Sequence, residues 1–394
     1  MSRVIYPVCI LLLAGCGERF EIVESSVEKN QSRPPGLPFS LMEYEREYSR
    51  LANTVSASPI DVMRYDLRAR FDWERRLLVA TVDITIRLLD ADEMTTIVLN
   101  SFVSRIHSIH LKNLQQLNYS TDNSGYLRID ISNIPRELRK KDLVLSIAYE
   151  ASGRGSADTD ETAIEAVAQR SGDPITARVA YTFSEPERAS RWLPCHNVPS
   201  DRAFFSAEFT MAPDEILIAN GDLIFNRLED GKRVRRMKYS TRYNLPNYLM
   251  AFAVGEFAIA THYHNELPVS IVTRRGLPVD AQGMLKTITE QIRTYERLLV
   301  KYPFEKYALV VVPELGSGGI EHAGITFQGE LASTQSRLGY DRTLTAHELG
   351  HQWFGDMVTV KTWDDLWIKE GMATLLAEEA TRNFEDQNQS GRLF

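Results

Sequence analysis
Cysteine is nearly absent from this chain: its 394 residues contain only Cys9, Cys16 and Cys195, with no Cys-x-x-Cys pair. That scarcity excludes a disulfide framework and a thiolate-bound zinc. Blocks of Lys and Arg are also missing and the net charge is -8, which excludes nucleic acid as a partner. No apolar stretch is long enough to span a bilayer as a helix, and the run from Val4 to Ala14 falls well short. Internal repeats and low-complexity tracts are absent too. With 43% hydrophobic and 25% charged residues, the chain has an ordinary globular composition and is long enough for two or three cores. Histidine is sparse, eight in all, so a close pair of them is informative.

Such a pair stands in His347-Glu348-Leu349-Gly350-His351, with Glu370 following after eighteen intervening residues. Residues four apart share a helix face, so His347 and His351 can present two imidazoles to one metal ion. Two His and one carboxylate, leaving a fourth position open, form the ligand set of a catalytic zinc. Glu348 is close enough to that open position to take a proton from water. The competing reading is a helix with two unrelated histidines and a surface acid, and Glu370 with its flanks weighs against it. Upstream lies Gly318-Gly319-Ile320-Glu321-His322. Its glycines allow a backbone to approach a ligand, and the segment can form an edge strand for substrate. A carboxylate there suits a positively charged amino terminus.

The chain divides by pattern. Residues 1–16 read as a targeting segment, with Arg3 ahead of the apolar run. Residues 17–56 read as a polar tether, with a short helix over Leu41 to Val55. From 57 to 262 short alternating runs predict an all-β domain, among them Met63 to Phe71, Leu78 to Ile86, Leu143 to Ala148 and Phe205 to Met211. Gly153 to Gly172 reads as a loop. Beyond 263 the period becomes helical: Met284, Ile288, Ile292, Tyr295 and Leu299 fall on one face. A strand is expected from Tyr307 to Pro313, then the H-E-x-x-H helix.

Taken in order, Gly318 to His322, His347 to Gly355 and Trp363 to Met372 resemble the G-x-M-E-N, H-E-L-x-H-x-W-F-G and W-x-D-L-W-L-N-E-G-F motifs of the aminopeptidase N family of zinc exopeptidases. Arg191 to Pro199 is similar to that family's R-x-x-F-P-C-x-D-x-P signature, and Tyr302 to Tyr307 to its Y-P-F-x-K-Y segment. The resemblance implies a multidomain α+β fold. An amino-terminal all-β, saddle-like sandwich (57–262) would precede the first part of a thermolysin-like, mainly α catalytic domain (263–394). It implies one zinc ion on His347, His351 and Glu370, with Glu348 as general base. Glu321, beside Gly318 and Gly319, would grip the free amino terminus of a peptide substrate and limit cleavage to the first bond. The family's second amine contact, usually a Gln in the β domain, has Ser184 and Glu185 as its nearest counterparts. Glu185 is the choice, against a reading as a solvated loop acid. An endopeptidase of the thermolysin type would gain nothing from Glu321. Leu13-Ala14-Gly15-Cys16 resembles the lipobox of bacterial lipoproteins, which implies cleavage before Cys16, its acylation and a membrane anchor; an ordinary secretory signal is the alternative. Gly17 after the Cys points to the outer membrane, facing the periplasm. Nothing in the sequence bears on oligomeric state.

Departures from the family pattern are His322 for Asn, Ile320 for Met, Asn197 for Asp, Lys369 for Asn, and Ala377 for a carboxylate that would back a zinc histidine. Lys369 is expected to alter local hydrogen bonding rather than chemistry. The resemblance also implies a Tyr that donates to the oxyanion well beyond residue 394. The chain is therefore expected to be truncated. Its alternative reading is a weak or inactive homologue that binds zinc or peptide without efficient turnover, since one oxyanion donor is worth about two to three orders of magnitude in rate.

Overall fold
The computed structural model describes residues 59–390, apart from 113, 153–163, 168–174, 314, 316–317 and 335–340. Cys16, the tether and the helix expected over Leu41 to Val55 lie outside the described residues. The β-rich half opens with Ile60–Asp72 and Leu77–Leu88, an antiparallel pair whose alternating burial puts Tyr65, Leu67, Val82 and Ile84 inside. Leu143–Ser152 extends the sheet on one side, and Arg202–Met211 joins it on the other, parallel to the first strand. Smaller sheets complete this half. One orders Ile216–Ala219, Phe252–Gly255, Val179–Thr182 and Ile164–Val167; another orders Thr96–Asn100, Tyr126–Asp130 and Tyr119–Thr121. Ile164–Val167 corrects the expected loop, because four residues between small polar neighbours are too short to reveal alternation.

A five-stranded sheet carries the second half, in the order Phe257–His264, Leu267–Arg274, Tyr307–Val312, Ile325–Gly329, Gly319–His322. The boundary expected at residue 262 falls inside its first strand, which pairs along its length with Leu267–Arg274. The three middle strands run parallel, and the edge strand Gly319–His322 turns back antiparallel to Ile325–Gly329. Helix α1 (Ala281–Leu298) makes the crossover, capped by Asp280 accepting from the Gly283 amide at 2.9 Å. Helices α2 (Arg342–Gly350) and α3 (Leu366–Ser390) follow. No helix among the described residues is long and apolar enough to cross a membrane.

Tyr307–Val312 is buried at every position, as expected of a strand covered on both faces. Tyr307, Leu309 and Val311 enter a core with Met284, Ile288 and Leu349, while Ala308, Val310 and Val312 enter one with Tyr181, Ala253 and Phe327. One strand therefore packs α1 and α2 on one side and the four-stranded sheet on the other.

Candidate metal centre and acidic pocket
Helix α2 begins where the Asp341 side chain accepts from the Thr343 and Leu344 amides, at 3.0 and 2.9 Å. Ala346 and Leu349 bury its inner face, and Gly350 faces Ala373 and Leu376 of α3. That close contact brings Glu370 onto the histidines. The Nε2 atoms of His347 and His351 are 3.0 Å apart, and Glu370 Oε2 lies 3.4 and 3.5 Å from them. His351 Nδ1 is 3.0 Å from the Phe354 carbonyl oxygen, which can only accept. Nδ1 therefore carries a proton, and Nε2 is the nitrogen that faces His347 and Glu370 and can serve as a ligand. Two imidazoles and a carboxylate converging this closely, with no thiolate, are donors that suit zinc.

Glu348 is buried beside this centre, and its Oε2 has no hydrogen-bond partner. Burial and the nearby Glu321 carboxylate raise its pKa well above the usual range. Gly319 of the edge strand lies against it: a Cβ there would fall 2.5 Å from Glu348 Oε1. Gly318 is buried just ahead of that strand, its carbonyl accepting from the Gly329 amide at 2.9 Å.

The structure adds an acidic pocket next to the donor set. Glu321, Glu185 and Glu370 each offer an oxygen to it, and the Lys369 ammonium sits among them. Lys369 Nζ is 2.6 Å from Glu185 Oε1 and 3.0 Å from Glu370 Oε1, and it donates to Glu321 Oε1. Glu185 is thus ion-paired with Lys369, with its side chain 8% exposed. Glu185 is therefore buried and not a solvated loop acid. Burial pushes it up to about 8, aided by Glu321 and opposed by Lys369. Glu321 behaves oppositely: burial raises it, but His351 and Lys369 outweigh that and hold it at about 2.

Lys369 thus pairs with carboxylates from remote segments, where a change of local hydrogen bonding was expected. Its position between Ile368 and Glu370 gave no signal, because an ammonium on a four-carbon stem finds its partners only after packing. His322 is buried, with neither ring nitrogen hydrogen-bonded, and burial brings it down to about 4. Ala377 packs in the apolar core with Ala346 and Leu349; the group beside His347 Nδ1 is instead the Thr374 hydroxyl, at 3.4 Å.

A β-rich half, a helical half and a His, His, Glu donor set beside a buried acid define a metallopeptidase scaffold. The chain belongs to peptidase family M1: the Peptidase M1 N-terminal domain model matches residues 62–249 and the Peptidase family M1 domain model residues 284–394. Zinc suits this donor set and is the metal named for the structurally similar family M1 peptidase below. The chain is 29% identical over 217 residues to the Probable aminopeptidase 1 of Sulfurisphaera tokodaii, covering 53% of this chain and 27% of that protein. It is also 29% identical over 217 residues to the human Endoplasmic reticulum aminopeptidase 1, covering 50% of this chain and 22% of that one. These matches span about a quarter of the relatives' length. The M1 zinc metallopeptidase of Deinococcus radiodurans shares the fold, with TM-score 0.67 and 22% identity over 84% of this chain and 72% of its own. A form of it bound to a Tyr-Ser-Ala substrate superposes with TM-score 0.64 and 21% identity, over 82% of this chain and 71% of its own.

Proposed function
We propose that this chain is a zinc aminopeptidase, hydrolysing the first peptide bond of peptides with a free amino terminus. The observation that carries the reading is one pocket in which the His347, His351, Glu370 donor set adjoins two further buried carboxylates, Glu321 and Glu185. Buried carboxylates need cationic partners, and an α-ammonium group meets that need beside Lys369. Glu321 and Glu185 bind and orient the amino terminus. Among the described residues the strand Gly319–His322 is an edge of its sheet, so an extended peptide can add there as a further strand, with Gly318 and Gly319 leaving it room. When bound, zinc supplies Lewis acidity toward the scissile carbonyl and a water molecule. Glu348 takes a proton from the attacking water on its carboxylate and delivers it to the nitrogen of the leaving peptide.

Export and a membrane anchor through acylated Cys16, on the outer membrane facing the periplasm, complete the proposal; the sequence Leu13 to Gly17 supports them. A second reading, zinc binding without efficient turnover, is favoured by Lys369, whose ammonium already engages both amine-binding carboxylates. Cleavage of free and acetyl-blocked peptides tests the amine reading. The free form is preferred, and Glu321→Gln lowers that preference about tenfold to a hundredfold. Equal cleavage of both forms by the native chain refutes it.

A further inference from the structure
Removal of one residue at a time needs more than an amine site and a metal site; the distance between them must be fixed. Glu321 lies on the edge strand, the histidines on α2 and its end. The link between these elements is Gln352, wholly buried and next in sequence to His351. Its Oε1 accepts from the Gly324 amide at 2.8 Å and from the Tyr302 hydroxyl at 2.9 Å. Its Nε2 donates to the His322 carbonyl at 3.3 Å and to Asp356 Oδ2 at 2.8 Å. Those four bonds use the full capacity of a primary amide. Two of them grip His322 and Gly324, the residues that follow Glu321 as the strand turns. From the β-rich half, Asn220 Nδ2 donates to the Ala323 carbonyl at 2.8 Å. The turn is thus held between the β-rich half and the end of the metal-bearing helix.

We propose that Gln352 is a positioning residue that sets the span between the amine-binding carboxylate and the metal, and so confines cleavage to the first bond. The proposal rests on the aminopeptidase reading given above. Ligands that read the span separately from the amine site provide the test. Leucine hydroxamate reaches from Glu321 to the metal, whereas 3-methylbutylamine occupies the amine site alone. Calorimetric affinities are measured for both on zinc-loaded native chain and Gln352→Met, with zinc content determined by mass spectrometry.

The variant is expected to hold zinc like the native chain, to bind the hydroxamate about tenfold or more weakly, and to bind 3-methylbutylamine unchanged. A parallel loss of both ligands, or no loss of either, overturns the proposal. Should the Met variant not fold, Gln352→Glu with Asp356→Asn serves instead: it restores a bond between positions 352 and 356 and keeps the acceptor for Gly324, but gives the His322 carbonyl no donor. The same two outcomes decide it. The aminopeptidase reading fails separately, if Glu321→Gln leaves 3-methylbutylamine binding intact.

Discussion
A single ammonium makes the acidic pocket possible. Glu185, Glu321 and Glu370 would repel one another in a shared buried space, and Lys369 contacts all three. Breaking a buried charge network by removing one partner is costly. Lys369→Met is therefore expected to destabilise the chain by about 3 kcal/mol, read as a lower denaturant midpoint at unchanged slope. An unchanged midpoint would mean that the carboxylates find other partners. At this scale His347, Glu348, His351 and Glu370 were legible in sequence, because helical spacing is local information. Glu185 was reached only through a loose alignment. Lys369 and Gln352 were not legible, because their partners come from remote segments that only packing brings together.

Among the elements, the edge strand matters most. It is short, yet it carries Glu321 and presses Gly319 against Glu348. Alanine at 319 would place a methyl group 2.5 Å from Glu348 Oε1. Glu348 Cδ and Cγ lie 2.6 Å away as well, so the side chain must shift as a whole. Gly319→Ala is expected to lose about a hundredfold in kcat; native turnover in that variant would show that Glu348 tolerates the shift. Long alternating strands and α1 were legible from their periods. Four-residue strands such as Ile164–Val167 and Gly319–His322 were less so, since their existence depends on a partner strand and not on pattern.

On the scale of the whole molecule, Tyr307–Val312 is shared by two cores, which ties the metal centre to the β-rich half. Stability toward acid has a source far from that centre. Asp83 is buried and accepts from Arg68 at 3.0 and 3.2 Å and from Lys112 at 2.7 Å. Burial raises its pKa, but these cations outweigh it and bring Asp83 down to about 2 from an ordinary 3.8. A carboxylate depressed in the folded state contributes stability above its unfolded value, and loses it as pH falls toward about 2. Because Arg68 and Lys112 are half exposed, the pH-dependent part is on the order of 1 kcal/mol. Melting curves from pH 5 to pH 2 should fall less steeply for Asp83→Asn than for the native chain; identical slopes would exclude this source.

Zinc content and hydrolysis of amino-acid p-nitroanilides, measured together on the native chain and on Glu348→Gln, test the central claim most directly. The account predicts equal zinc in both and a loss of turnover in the variant of about two to four orders of magnitude. Equal turnover in both with zinc bound, or a native chain that takes up no zinc, would contradict it.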